Sequence, residues 1–178
     1  MNKYIQKKDP GTTAFIGIGS NLGNSLENCT SGILQIEKNK EASLISKSSF
    51  YVTSPVSKIE QNDFVNSVIK IIWTASPFDL LEFLNSVEKK MGRQRSIKKG
   101  PRIIDLDILF FGNLVINTPS LKIPHPEIHK RKFAIIPCIE IESEIVHPAY
   151  EKKLKDFLEN IGDEQKISKI NSYTTVSL

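Results

Sequence analysis

Ile103-Ile104-Asp105-Leu106-Asp107-Ile108-Leu109-Phe110-Phe111 is the run on which the reading of this chain turns. It is short, rich in β-branched and aromatic residues, and stopped by Gly112-Asn113, which marks a buried strand and not a helix. Alternate side chains of a strand share a face, so Asp105 and Asp107 project together with roots about 7 Å apart, while Leu106 points into the core. Aspartate is a poor strand former and costs several kcal/mol to bury as an unpaired ion, so the pair needs a partner. A divalent cation would serve, since two such carboxylates can hold one Mg²⁺ or a pair of ions about 4 Å apart. A salt bridge to Arg102 or another base, or exposure to water at a strand end, would also serve. The pattern by itself fits glycosyltransferases and nucleases as well.

Working outward toward the N-terminus, residues 14–19 form a short buried strand followed by turn chemistry at Ser20-Asn21-Leu22-Gly23. Asn24 then caps a helix with Glu27 completing a capping box, and Leu26, Ile33, Leu34 and Ile36 form its apolar face up to about Lys38. A period-two stretch over 44–51, an irregular Thr53-Ser54-Pro55-Val56 loop, and a run over 64–73 with Val65, Ser67, Ile69 and Ile71 on one face predict two antiparallel strands. Ser76-Pro77 opens a second helix that Gly92 closes, with Leu80, Leu81, Leu84, Val87 and Met91 at helical spacing and Glu88 at the edge of that face. After the strand over 103–111, Gly112-Asn113 turns the chain into a return strand around Leu114-Val115-Ile116. The order βαββαβ predicts an α+β protein of the ferredoxin-like arrangement, an antiparallel sheet with both helices on one face. The added hairpin strand is followed by C-terminal helices over 133–141, despite Pro137, and over 151–161, ending at Gly162.

A chain of 178 residues that is 39% hydrophobic and 25% charged suits one domain over 1–178, with 1–11 an extension and 163–178 a polar tail. No run reaches the roughly 18 apolar residues of a membrane span and 1–11 lacks a signal-peptide core, so a cytoplasmic location is expected. Cys29 and Cys138 lack CxxC or Cys/His spacing and read as buried free thiols in helices. The net charge is only +4, but Lys89, Lys90, Arg93, Arg95, Lys98, Lys99 and Arg102 crowd one segment. Alone that is a solvated basic face. Running straight into the acidic strand, it sets phosphate ligands beside candidate metal ligands, as Mg²⁺–ATP chemistry requires. Pro124-His125-Pro126 and Arg131 add an imidazole and a guanidinium, whereas His129 and His147 read as structural. Gly17-Ile18-Gly19 lacks the third glycine of a dinucleotide fingerprint, and no GxxxxGK[ST] occurs.

These residues resemble the 6-hydroxymethyl-7,8-dihydropterin pyrophosphokinase family over about 14–148. The strongest element is Gly100-Pro101-Arg102-Ile103-Ile104-Asp105-Leu106-Asp107-Ile108-Leu109, which fits the family signature. Ile18-Gly19-Ser20-Asn21-Leu22, Ser49-Phe50-Tyr51, Asp63-Phe64-Val65-Asn66, Glu88 with Gly92-Arg93-Gln94-Arg95, and Pro124-His125 with Arg131 and Phe133 follow in the expected order. The resemblance implies transfer of the β,γ-diphosphoryl group of ATP to 6-hydroxymethyl-7,8-dihydropterin, giving AMP and the pterin diphosphate of folate biosynthesis. It implies two Mg²⁺ ions on Asp105 and Asp107. Arg93, Arg102, His125 and Arg131 would hold phosphates, Arg95 would join on a mobile loop, and Asn85, Glu88 and Ile108 would lie beside the nucleotide. The pterin would stack between Phe64 and Phe133, with its edge read by Asn66 and the Ser54-Pro55-Val56 loop. Lys99 and Pro126 depart from the family, which often carries aromatics there. A small-molecule enzyme acting as a monomer, without nucleic acid or membrane, is the expectation. The alternatives are an RNA-binding sheet with exposed strand aromatics, and a different Mg²⁺–nucleotide transferase.

Overall fold

The computed structural model describes residues 10–56, 59–93, 100–162 and 164–171. In chain order these form β1 (Thr12–Ser20), α1 (Ser25–Glu37), β2 (Ala42–Lys47), β3 (Tyr51–Thr53), β4 (Phe64–Trp73), α2 (Pro77–Lys90), β5 (Asp105–Phe111), β6 (Ile116–Asn117), β7 (Lys122–Ile123), α3 (Lys132–Ile141), β8 (Val146–His147), β9 (Lys152–Lys153) and β10 (Ile167–Lys169). The main sheet runs β10-β3-β4-β1-β5, with β2 also on β4, and every pairing is antiparallel. Its β2-β4-β1-β5 centre is the ferredoxin-like strand order anticipated from the sequence.

The helix starts are where the sequence put them. Asn24 accepts from the Glu27 N–H at 3.2 Å, but the Glu27 carboxylate meets the Asn24 side-chain amide and not its backbone, so that capping box is only half made, and Leu26 and Leu34 of the expected apolar face are exposed. Ser76 forms a reciprocal capping box with Asp79 ahead of Pro77. Gly92 closes the α2 end at φ +86°, a conformation that costs glycine least. α1 and α2 bury Cys29, Ile33, Ile36, Leu80, Leu84 and Val87 against Ile16, Ile18, Ile69, Ile71, Leu106 and Ile108. The opposite face is also covered: α3 brings Ala134, Ile135 and Cys138 onto Phe15, Val68, Leu109 and Phe110. Strands enclosed on both sides are apolar on both sides, which explains the near-continuous hydrophobic run of β5. α3 thus covers the face that an RNA-binding sheet would leave open. Both cysteines are buried and unbridged, and burial pushes the Cys29 thiol up to about 12. Among the described residues no helix is long and apolar enough to cross a membrane.

Three elements differ from the sequence reading. The stretch over 44–51 is two strands, because the Ser48 hydroxyl accepts the Val68 N–H at 2.9 Å and meets the Ser67 hydroxyl at 3.1 Å, breaking the alternation between β2 and β3. The return strand is displaced: Leu114 and Val115 are exposed and β6 pairs with β7, not with β5. The expected helix over 151–161 is β9 paired with β8, then a 3₁₀ helix over Leu154–Asn160. Glu151 adopts φ +51° and turns the chain back before Leu154 is buried. The remaining apolar side chains, Phe157, Leu158 and Ile161, pack from the tighter helix onto the α3-side core.

Candidate active site

Strand register builds the floor of the site. Asn66 on β4, Gly19 on β1 and Asp105 on β5 lie in one row across the sheet, and Val68, Gly17 and Asp107 in the next. With strands about 4.8 Å apart, Asn66 and Asp105 stand roughly 10 Å apart over a residue with no side chain. A Cβ on Gly19 would lie 2.7 Å from Asn66 Oδ1, and one on Gly17 would lie 3.2 Å from Leu109 Cδ2. The two glycines therefore keep the floor clear between the amide and the carboxylates. Thr53 to Val56, Gln61, Phe64, Arg102, His125, Arg131, Phe133 and Ala134 form the walls. The cleft is open to solvent, with about 850 Å³ of atom-free space when its mouth is included.

Its charges are tightly arranged. Asp105 Oδ1 pairs with Arg93 Nη1 at 2.7 Å and its Oδ2 pairs with Arg102 Nη1. The salt-bridge alternative for this aspartate is thus realised, with Arg93 as well as Arg102. Arg93 also pairs with Glu88, which is only 3% exposed and accepts the Leu106 N–H at 2.8 Å. Burial raises the Glu88 pKa, and the Leu106 and Arg93 contacts offset part of that rise. Asp107 differs: its closest basic neighbour among the described contacts is His125 Nε2, at 3.9 Å from Oδ2. The Asp107 side chain is 40% exposed and lines the cleft, whose walls still desolvate it. That desolvation and then the Asp105 charge push Asp107 up to about 7. Burial, followed by Arg131, pushes His125 down to about 4, so its imidazole is neutral. His125 Nδ1 accepts the Glu127 N–H at 3.1 Å, which assigns the proton to Nε2, the nitrogen facing Asp107.

At the other end the surfaces are flat and aromatic. The Arg102 guanidinium sits 5.8 Å from the Phe64 ring centroid, and that of Arg131 sits 5.5 Å from the Phe133 centroid. Arg131 is also paired with Glu127, and Asn66 Nδ2 donates to Thr53 Oγ1 at 2.7 Å.

Ser54, Pro55, Val56, Phe64, Asn66, Arg102, Asp105, Asp107, His125, Arg131 and Phe133, all singled out in the sequence, line this one cleft. Arg93 reaches it through Asp105, and Glu88 lies buried behind Arg93. Asn85 is exposed on α2, and the Ile108 side chain packs in the helix-side core, so neither is part of the lining. Arg95 and Lys99 fall outside the described residues. Gly17, Gly19, Thr53 and Gln61 were missed as site residues. So was the tie made by Asn21, whose side chain accepts from the Arg102 N–H at 2.8 Å and donates to Gln61 at 3.0 Å and to the Asn62 carbonyl at 3.1 Å. A GxG on the strand beside the amide carried the signal, but only register reveals it.

The family model for 7,8-dihydro-6-hydroxymethylpterin-pyrophosphokinase (HPPK) matches residues 15–143. The chain belongs to the HPPK family. Among its HPPK relatives, the 2-amino-4-hydroxy-6-hydroxymethyldihydropteridine pyrophosphokinase of Haemophilus influenzae is 40% identical over 136 residues, covering 76% of this chain and 85% of that protein. The enzyme of the same name from Aquifex aeolicus is 39% identical over 145 residues, covering 82% and 89%. The folic acid synthesis protein fol1 of Pneumocystis carinii is 35% identical over 91% of this chain, which spans 22% of that longer protein. A crystal structure of a Plasmodium falciparum HPPK-DHPS variant superposes with a TM-score of 0.70 at 14% identity, covering 93% of this chain and 52% of that one. At that identity the likeness speaks for the fold. The HPPK match spans β1 to α3 and contains every cleft residue named above; residues 144–178 lie beyond it.

Proposed function

We propose that this HPPK-family chain transfers the β,γ-diphosphoryl group of ATP to 6-hydroxymethyl-7,8-dihydropterin, yielding AMP and the pterin diphosphate of folate synthesis. The observation that carries the reading is one cleft with two unlike poles. Phe64, Phe133 and Asn66 offer flat faces and an amide edge for a bicyclic heteroaromatic, while Asp105, Asp107, Arg102 and Arg93 offer carboxylates and guanidinium forks. The floor glycines join them, so a ring seated at one pole can present a hydroxymethyl arm to the other.

The donor set suits magnesium. Asp107 is a hard oxygen ligand whose closest basic contact among the described ones is His125, 3.9 Å away, and Asp105 lies beside it. Among the described residues no group of three or more His, Cys, Asp or Glu converges. That fits an ion held by one or two carboxylates and completed by substrate phosphates and water. Asp105 and Asp107 would hold it, and when bound it would neutralise phosphate charge and lower the pKa of the attacking hydroxyl.

The protein's own contribution is positioning and charge. Arg93 and Arg102 are held on Asp105, ready to turn their forks to phosphate oxygens, where a fixed guanidinium stabilises charge developing in line between the attacking oxygen and the leaving AMP. Neutral His125 can donate Nε2–H to a phosphate without adding a proton to the chemistry. Phe64 and Phe133 orient the ring so that the hydroxyl approaches β-phosphorus directly. In this reading the chain acts as one monomeric, cytoplasmic unit on diffusible substrates, without nucleic acid or membrane. The test is turnover of Asp107→Asn and Asp105→Asn across a magnesium titration: both should lose at least about 10²-fold in kcat, and wild-type turnover in either would refute the assignment.

A further inference from the structure

Residues 164–171 lie beyond the stretch matched by the family, yet they touch two walls of the cleft at once. Gln165 Nε2 donates to the Lys130 carbonyl at 2.8 Å, and its Oε1 accepts the Lys132 N–H at 2.9 Å. These two backbone groups flank Arg131. The neighbouring Lys166 donates its N–H to Ser54 Oγ at 3.2 Å and accepts the Ser54 N–H at its carbonyl at 3.1 Å. Adjacent residues therefore grip the Ser54-Pro55-Val56 loop and the 131–133 segment, both of which line the cleft.

The junction they grip needs an outside partner. Arg131 is a single extended residue, φ −125° and ψ 103°, between the 3₁₀ helix Ile128–Lys130 and α3, and its own side chain provides no cap. The first N–H groups of a helix have no partner within it, and Lys132 opens α3. Gln165 satisfies that N–H from 33 residues away. With a donor demanded on one side and an acceptor on the other, the amide is fixed in one orientation. The segment is itself anchored: β10 pairs with β3 from Ile167↔Thr53 to Lys169↔Tyr51, and Lys169 Nζ reaches Glu140 on α3 at 2.8 Å.

We propose that this segment is a strap that presets the cleft for its aromatic substrate, with Gln165 the positioning residue that fixes the backbone carrying Arg131 and Phe133. The identity of that substrate rests on the function proposed above; the clamp itself does not. Once a ring is seated against Phe133 the substrate helps hold this wall, so the loss appears in binding more than in turnover.

The experiment compares wild type with Gln165→Ala and Gln165→Glu. Two hydrogen bonds of ordinary net strength correspond to about 10- to 30-fold. Gln165→Ala should raise the KM for 6-hydroxymethyl-7,8-dihydropterin by about that factor, with kcat within about 2-fold and the melting temperature lowered by no more than about 8 °C. Gln165→Glu keeps the bond from Lys132 and loses the one to Lys130, so its KM should fall between. Hydrogen exchange at the Lys132 amide should accelerate in Gln165→Ala whether or not this substrate is turned over. An inactive wild type would sink the function while leaving the exchange arm to judge the clamp. Unchanged KM in an active background, or unchanged exchange in any background, overturns the strap. A loss of kcat that tracks only the folded fraction does so as well.

Discussion

Replacing Glu88 by glutamine tests whether the arginine pole is built from behind. One oxygen of Glu88 both accepts the Leu106 N–H at 2.8 Å and pairs with Arg93, and the side chain is only 4% exposed against 17% for Arg93. A glutamine oxygen can still accept from Leu106, so β5 should remain in place. What disappears is the charge opposite Arg93. Breaking a buried pair from one side costs about 3–5 kcal/mol, but Arg93 keeps Asp105 at 2.7 Å. The loss should therefore be nearer that of one charge-assisted hydrogen bond, about 1.5–3 kcal/mol. In a chain of this length that lowers the melting temperature by about 3–12 °C. Arg93, now held only by Asp105, should shift, and a displacement of about 1 Å near the reacting groups can cost on the order of 10²-fold in kcat. Glu88→Ala should be worse in stability by a further 1–3 kcal/mol or so, since it strands the Leu106 N–H inside the fold. Thermal unfolding followed by steady-state kinetics at saturating magnesium reads both quantities. A glutamine variant that melts within about 1 °C of wild type with unaltered kcat would show that Arg93 does not depend on Glu88.

Further predictions follow from single contacts. Arg102→Ala should reduce kcat by on the order of 10³-fold, as expected for a guanidinium acting on transferring phosphate, whereas Lys40→Ala, at a highly exposed lysine, should leave kcat intact. Gly19→Ala should weaken pterin binding by about 10-fold or more, because its Cβ would stand 2.7 Å from Asn66 Oδ1 while Thr53 holds the other end of that amide; isothermal titration with the pterin decides it. For Glu140, burial raises the carboxyl pKa, but hydrogen bonds from Lys169, Ser49 and Tyr51 outweigh it and hold the group at about 2. A depressed folded pKa means stability that is present above the unfolded value of about 4.5 and is lost as pH falls toward 2. Glu140→Gln should therefore flatten the drop in melting temperature between those pH values, and an unchanged acid limb would refute the role.

What could be read in advance was whatever local periodicity controls. Two aspartates two residues apart must share a face of a strand, and Ser76-Pro77 must start a helix, wherever these segments end up. The split of the 44–51 stretch was hidden because the Ser48 hydroxyl competes for an N–H of a strand distant in sequence. The 3₁₀ helix after Glu151 was hidden because apolar spacings of three and four residues suit either helix type. Register kept Gly17 and Gly19 silent: in sequence they are strand residues, and only pairing with Asn66, Val68, Asp105 and Asp107 makes them the floor of a cleft. Arg102 was legible by name as a salt-bridge partner of the acidic strand, and Arg93 only as another base of the same segment, since its placement depends on α2 ending beside β5. Gln165 left no local trace, because its partners, Lys130 and Lys132, lie in another part of the chain.

The most direct measurement is identification of both products after incubation of the purified protein with magnesium, ATP and 6-hydroxymethyl-7,8-dihydropterin. The account predicts AMP and the pterin diphosphate in equal amounts. ADP with a pterin monophosphate, or no turnover by the intact folded protein, would contradict it.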